Sequence, residues 1–501
     1  MKNKVRFIKQ TKAFFWLIVF FIGFSACANQ GVQKYVEAPK YMFLFIGDGM
    51  GLSQMHAAEI MGGALNGEQV EIKKLSFSKF PGTGLMTTFS VNSYKTDSAA
   101  SGTAIASGKK TINGRINIDP TGKIQFKPVA ERAKENGMKV GVISNVPLNH
   151  ATPACFYANM PSRGDYYEIA KQMVESEFDF FGGGGIKYPS GRKGLQTDIL
   201  ELAKQKGYKI IQSQKEFFLL GEKDKDEKII AINEKLTVET AMPYRIDLNE
   251  KDLSLADYVN KSIQLLEDDE GFFMIVEGGE IDWAGHDNDA ATLIKEVKDF
   301  DKAVQRAVQF YQRHPEDTLI VVTADHETGG MGLDFEVSGY SQSLEILNGQ
   351  TISLEKFNEE HVKPYKAAKD EQEWNLDDFM PLIEEKFGLL KLSEEDKEEL
   401  NDKASQEDRE ALRKMGRVLS AREYEELQSS LRNPNRALFG FILVKILNKK
   451  AGVSWTTGGH TAAPVPVFSI GKGYEKFVGT YDNTGLFKKM IKVMKLNSQS
   501  K

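Results

Sequence analysis

The chain has 501 residues, of which 41% are hydrophobic and 27% are charged, which is the profile of a soluble globular protein with a substantial core and excludes the disordered and fibrous classes. Its formal net charge is -5, and no stripe dense in Lys and Arg occurs, so we expect no nucleic-acid-binding surface.

The N-terminus resembles an export signal. Basic residues precede an apolar run from Phe14 to Phe24, which is shorter than the roughly 20 residues that cross a bilayer and fits a signal peptide. Small residues directly before Cys27 resemble a bacterial lipoprotein cleavage site. We therefore expect a signal peptide at 1–27 and a catalytic domain at 28–501, in the periplasm or attached to the outer membrane through lipidated Cys27. Ordinary cleavage nearby is the alternative.

Four apolar runs predict strands that are buried on both faces of a parallel sheet. They are Tyr41–Ile46, Lys139–Ser144, Phe272–Val276 and Thr318–Thr323. Stretches of helical composition alternate with these runs, at 52–60, 128–136 and 291–313. The alternation predicts an α/β fold, a three-layer sandwich whose central, mostly parallel sheet is flanked by helices.

The segment 336–450 differs from the rest of the chain. It is rich in charge and carries apolar residues at roughly helical spacing, which indicates solvated amphipathic helices. We predict an inserted, mainly helical subdomain that is embedded in the catalytic domain.

Candidate metal ligands follow the predicted strands, where open α/β sheets bind their ligands. His286 follows Asp282 by four positions, a spacing that places both side chains on one face of a helix. Zinc favours histidine nitrogen and carboxylate oxygen, whereas magnesium prefers an oxygen shell. The candidates therefore sort into one zinc site at Asp282, His286 and His460, a second zinc site at Asp48, Asp325 and His326, and a magnesium site at Thr152, Glu277 and the bridging Asp48. Two neighbouring zinc ions suit phosphoryl transfer.

A nucleophile is predicted at the start of a helix. Ser98 lies in Thr96-Asp97-Ser98-Ala99-Ala100-Ser101, and a serine in the first helical turn faces free N–H groups that suit a bound phosphate. The same segment is also typical of an ordinary capped helix. On spacing alone, Ser101 and Thr103 are as eligible as Ser98.

Five motifs, in order, resemble those of the alkaline phosphatase family. They are Gly47-Asp48-Gly49-Met50-Gly51, the Ser98 segment, Glu277-Gly278-Gly279 through Asp282 and His286, Thr323-Ala324-Asp325-His326-Glu327, and Gly458-Gly459-His460-Thr461. The resemblance implies that Ser98 is the serine that becomes phosphorylated, and it supports the assignment of two zinc ions and one magnesium ion. It also makes the long gap between His326 and His460 consistent with a crown-like insertion near the mouth of the site.

The resemblance further implies roles for residues that composition alone leaves at the surface or in the core. Arg163 falls where the family carries its phosphate-binding arginine, whose planar fork suits two phosphate oxygens. His150 falls in a magnesium-site segment, so we expect it behind the magnesium ligands, and we expect Trp283 to pack on it. At both positions other branches of the family have different residues.

The predicted activity is hydrolysis of phosphate monoesters through a phosphoserine intermediate, with zinc assisting attack and departure, and magnesium orienting a water that carries the serine proton. The alternatives are a phosphodiesterase or sulfatase of the same superfamily, and a non-catalytic phosphate-binding protein. A homodimer is compatible with the sequence, which does not decide the oligomeric state.

Overall fold

The computed structural model describes residues 38–63, 65–66, 69–334, 343–398, 414–433 and 436–496. The described residues from Ala38 onward belong to one compact unit. The predicted signal peptide with Cys27 lies outside the described residues, as do parts of the predicted insertion. In the described part of the chain, no helix is both long and apolar enough to cross a bilayer.

A ten-stranded, mostly parallel sheet forms the centre of the fold. Its strands are, in chain order, Tyr41–Gly47 (β1), Gly82–Thr87 (β2), Lys139–Ser144 (β3), Phe180–Gly183 (β4), Tyr208–Ile211 (β5), Lys228–Ile232 (β6), Phe272–Gly278 (β7), Thr318–Thr323 (β8), Val465–Gly471 (β9) and Gly479–Asp482 (β10). Across the sheet the order is β10-β2-β9-β8-β1-β7-β3-β4-β6-β5. Strand β9 runs antiparallel to both of its neighbours. The four predicted strands are confirmed as β1, β3, β7 and β8.

Helices flank this sheet. In chain order the α-helices before the predicted insertion are Leu52–Ile60 (α1), Ser98–Ser107 (α2), Val129–Glu135 (α3), Ala151–Ala154 (α4), Tyr166–Glu175 (α5), Ile199–Gln205 (α6), Gln214–Leu219 (α7), Leu255–Leu266 (α8), Glu280–His286 (α9) and Ala290–Arg313 (α10). Helices α1, α3 and α10 match the three predicted stretches. The predicted α/β class, with a mostly parallel sheet between helices, is confirmed.

The later helices lie mainly in the predicted insertion. They are Leu354–Phe357 (α11), Lys363–Ala368 (α12), Met380–Phe387 (α13), Ala421–Leu431 (α14) and Arg436–Ala451 (α15), followed by Asn483–Val493 (α16) near the C-terminus. Helix α15 buries Phe439, Leu443 and Leu447 completely. These three residues recur every four positions, so they form one apolar face that holds the helix to the core.

The three central strands, β1, β7 and β8, end next to one another at one edge of the sheet. Every residue of β1, β7 and β8 is buried, as expected for strands covered on both faces. Ile46 of β1 pairs with Glu277 of β7 and with Thr323 of β8. Because the three strands are parallel, the residues that follow them, including Asp48 and Asp325, meet at one edge of the sheet.

Candidate functional site

The first group of predicted ligands comes together at α9. Asp282 and His286 lie one helical turn apart, and His286 Nε2 is 3.3 Å from Asp282 Oδ2. His460 reaches the same point from a short strand, His460–Thr461, that pairs with Glu327–Thr328. Its Nε2 lies 3.6 Å from Asp282 Oδ1 and 3.2 Å from His286 Nε2. One ligand atom from each of the three residues can therefore face a single ion.

Backbone carbonyls orient both histidines of this group. His286 Nδ1 lies 2.7 Å from the carbonyl oxygen of Gly458, and His460 Nδ1 lies 2.8 Å from that of Thr96. A carbonyl oxygen can only accept, so each Nδ1 carries a proton and each Nε2 points toward Asp282. The hydrogen bond with Asp282 raises the pKa of His286 to about 9. Asp282 thus favours a positive charge beside His286, and a bound cation would supply that charge in place of the proton.

The second group lies at the ends of β1 and β8. His326 Nε2 is 3.2 Å from Asp325 Oδ2 and 3.4 Å from Asp48 Oδ1, and all three side chains are fully or almost fully buried. Burial, more than any neighbouring charge, lowers the pKa of His326 well below its ordinary value. His326 is therefore neutral, as a metal ligand must be. Its ring stacks on that of His460, with centroids 3.6 Å apart, so the two groups adjoin.

The third group combines a hydroxyl with carboxylates. Thr152 Oγ1 donates to Asp48 Oδ2 at 3.0 Å. Glu277 lies one residue before the end of β7, and one of its oxygens accepts a hydrogen bond from Ser144 Oγ. Thr152 and Glu277 are both completely buried. Asp48 thus touches the second and third groups.

Buried oxygens without a partner test whether these residues fit metal ions. Among the described residues, Asp48 Oδ1, Asp325 Oδ2 and Glu277 Oε1 are buried and accept no hydrogen bond. Burial, followed by repulsion from neighbouring carboxylates, raises the pKa of Asp48 well above its usual value. Burial also raises the pKa of Asp325 and that of Glu277 to about 7. Divalent cations would pair with these oxygens and offset the repulsion, so the residues fit metal ions.

The structure separates the three hydroxyls that spacing left equivalent. Ser101 Oγ donates to the carbonyl of Asp325 at 2.6 Å, and Thr103 Oγ1 accepts the backbone N–H of Asn117 at 2.8 Å. Ser98 is the first residue of α2, and its Oγ lies 3.3 Å from His326 Nε2. Of these hydroxyls, Ser98 is the one that contacts a side-chain ligand atom of the second group.

Asp97 organises both the start of α2 and the predicted phosphate-binding arginine. One carboxylate oxygen of Asp97 accepts the N–H of Ala100 at 2.9 Å and caps the helix. This hydrogen bond pairs one of the free N–H groups in the first turn of α2. The other oxygen accepts Arg163 Nη1 at 3.0 Å. Burial opposes the charge on Arg163, but Asp97 raises the pKa of the guanidinium. Arg163 is therefore held, charged, beside the N-terminus of the helix that carries Ser98.

His150 lies next to this arginine, and Trp283 packs against His150. Arg163 Nη2 is 3.2 Å from His150 Nε2, and the rings of His150 and Trp283 meet edge to face with centroids 5.8 Å apart. Burial, and then the charge of Arg163, lowers the pKa of His150 to about 3. A neutral His150 therefore accepts a hydrogen bond from Arg163. Its predicted place behind the magnesium ligands stays a prediction.

Sequence reasoning missed Thr328, which joins the two zinc-type groups. Its hydroxyl is completely buried, donates to Asp282 Oδ1 and lies 3.2 Å from His326 Nδ1. The hydroxyl has one hydrogen, so His326 carries its proton on Nδ1 and turns Nε2 toward Asp48 and Asp325. Thr328 follows His326 by two positions, which was the signal available in the sequence.

Comparisons with known proteins agree on one family. The sequence profile of that family, described as alkaline phosphatase, matches residues 39–496. Alkaline phosphatase 3 of Bacillus subtilis is 30% identical over 484 residues, covering 94% of this chain and 93% of that protein. The crystal structure of a cold-active alkaline phosphatase from the psychrophile Shewanella sp. has a TM-score of 0.73 and 29% identity, covering 91% of this chain and 99% of that one. The structure of a mutant of the TAB5 alkaline phosphatase with Mg bound has a TM-score of 0.62 and 27% identity, and the match covers 92% of this chain and 99% of that one.

Proposed function

The chain belongs to the alkaline phosphatase family and hydrolyses phosphate monoesters, and from this premise we propose that it acts through a phosphoserine intermediate on Ser98 at a two-zinc, one-magnesium centre. The observation that carries the proposal is the position of Ser98 Oγ, 3.3 Å from His326 Nε2, beside buried carboxylate oxygens that lack partners.

The proposed ligands are those of the three groups. The first zinc would be held by Asp282, His286 and His460, the second zinc by Asp48, Asp325 and His326, and the magnesium by Asp48, Thr152 and Glu277. When bound, these ions supply Lewis-acid stabilisation of the oxygens that gain negative charge during phosphoryl transfer. Mg is bound in the TAB5 mutant, which supports magnesium here.

The protein's own groups carry the two displacements. Ser98 Oγ forms a bond to phosphorus as the bond to the alcohol oxygen breaks, and the alcohol leaves with a proton. A water oxygen then attacks the phosphoserine, the bond from phosphorus to Ser98 Oγ breaks, and a proton from the water returns to Ser98 Oγ. Throughout, Arg163 pairs with two non-bridging phosphate oxygens, because Asp97 holds its guanidinium beside the N-terminus of α2.

Metal content of purified variants tests the ligand assignment. The wild-type protein should hold two zinc ions and one magnesium ion per chain, and His460→Ala should lose about one zinc together with most activity. His361→Ala is the matched control, since His361 lies in the segment Asn358–Val362 of the predicted insertion. Equal zinc content in wild type and His460→Ala would refute the first zinc site. Turnover of a phosphodiester faster than a monoester would refute the Arg163 assignment.

The location and assembly of the chain are separate proposals. The N-terminal pattern supports export and attachment through a lipidated Cys27. Mass spectrometry of the mature N-terminus tests this, because an acylated Cys27 confirms it and an unmodified N-terminus contradicts it. We also propose a homodimer, which sedimentation of the purified protein should detect as twice the mass of one chain.

A further inference from the structure

A cavity of about 670 Å³ opens beside the first zinc-type group. His286 and Trp283 of α9 form part of its wall, and helices α11 and α15 of the predicted insertion form another part. In the proposed reaction, a zinc ion held by Asp282, His286 and His460 would stabilise the oxygen of the departing alcohol. The cavity therefore lies on the side of the site from which the alcohol leaves.

The walls of this cavity combine apolar surface with negative charge. Leu354, Leu438 and Phe441 supply apolar surface. Four carboxylates and one ammonium group also line the cavity, from Glu239, Asp287, Glu355, Glu359 and Lys363. Four negative charges and one positive charge leave a formal net charge of -3, so the cavity attracts cations.

Two of these carboxylates are free to pair with a ligand. Glu239 forms an ion pair with Lys187, and Glu359 pairs with Lys363 at 2.6 Å. In the part of the chain that the structure describes, neither Glu355 nor Asp287 forms an ion pair or a side-chain hydrogen bond. Burial and then the charge of Asp287 raise the pKa of Glu355 to about 7, which is the response of a carboxylate that lacks a cation.

We propose that this cavity binds the alcohol part of the substrate and selects phosphate monoesters whose alcohol carries an ammonium group on an apolar body. Glu355 and Asp287 pair with the positive charge, while Trp283 and Phe441 provide aromatic faces that attract cations and cover the alkyl part. The inference rests on the proposed function, because it takes the first zinc site as the place where the alcohol leaves.

Two substrates of equal shape and different charge test the inference on the metal-loaded enzyme. Choline phosphate carries a trimethylammonium group, and 3,3-dimethylbutyl phosphate replaces that nitrogen with carbon. Wild type should hydrolyse choline phosphate with a kcat/KM about tenfold higher. Equal values, or a preference for the neutral ester, would overturn the inference while leaving the proposed function intact. Hydrolysis of neither ester would count against the proposed function itself.

Variants assign the preference to the cavity. Glu355→Gln removes one unpaired charge, so the ratio of the two kcat/KM values should fall about fivefold. Glu360→Gln is the matched control, because Glu360 lies in the segment Asn358–Val362 that directly follows α11 and does not line the cavity. Its ratio should equal that of wild type. A ratio unchanged by Glu355→Gln, or lowered equally by Glu360→Gln, would overturn the assignment.

Discussion

The substitution Thr328→Val tests how the two zinc-type groups are held in position. Valine keeps the shape of threonine but removes the hydroxyl that donates to Asp282 Oδ1 and contacts His326 Nδ1. The change leaves the Nδ1 proton of His326 buried without an acceptor, and an unsatisfied buried donor costs about 1–3 kcal/mol. Loss of a partner behind a metal ligand lowers metal affinity by about 10–100-fold. We expect the zinc affinity of Thr328→Val to be about 10–100-fold lower than that of wild type.

The assay is competition for zinc between the enzyme and a chelator of known affinity, with activity regained on adding zinc as a second readout. Thr111→Val is the matched control, because Thr111 is equally buried and its hydroxyl donates to the carbonyl of Ile118 at 2.6 Å. The control should lose folding stability without losing zinc affinity. Wild-type zinc affinity in Thr328→Val would contradict a role of the Thr328 hydroxyl in holding the zinc ligands.

Three further substitutions test other contacts. Asp97→Asn removes the charge beside Arg163, and hydrogen bonds to charged groups contribute about 1.5–3 kcal/mol. The KM for a monoester and the Ki for inorganic phosphate should therefore rise about tenfold or more. Unchanged constants would contradict the pairing of Asp97 with Arg163. Burial raises the pKa of Glu296 from 4.5 to about 8. Between these pH values the native state keeps a proton that the unfolded state loses. The free energy of unfolding should therefore fall as the pH rises through this range, by up to about 1.4 kcal/mol per pH unit. Glu296→Gln should reduce that slope in denaturant titrations at pH 6 and pH 7.5. Part of the slope should remain, because other buried carboxylates also have raised pKa values. An identical slope would contradict this origin. A Cβ at Gly102 would lie 2.7 Å from Cys155 Sγ, so Gly102→Ala should lower the free energy of unfolding by about 1–3 kcal/mol, and an unchanged melting temperature would show that the helix can shift.

The sheet could be predicted where its strands are buried on both faces. Strands β1, β7 and β8 are continuous apolar runs, because no residue in them faces water. Strand β9 was not predicted. It contains Pro466 and Ser469, and its antiparallel direction depends on how the chain returns to the sheet after the insertion.

The candidate ligands could be grouped from the sequence because residues that follow parallel strands meet at one edge. Their supporting contacts could not, since these join distant parts of the chain. Thr328 and Asp282 are 46 positions apart, and Arg163 is 66 positions from Asp97. Ser98 and Ser101 both lie in the first turn of α2. Their local sequence did not separate them, because the direction of each hydroxyl is known only from the structure.

Trapping of the phosphorylated protein tests the proposed phosphoserine intermediate on Ser98. Metal-loaded enzyme is incubated with a labelled phosphate monoester, quenched in acid and digested, and the phosphorylated peptide is sequenced by mass spectrometry. We expect one phosphate on Ser98, none in Ser98→Ala, and normal labelling in Ser101→Ala if that variant folds as wild type by circular dichroism. Phosphate on another residue, or turnover of Ser98→Ala near the wild-type rate, would contradict the proposed intermediate.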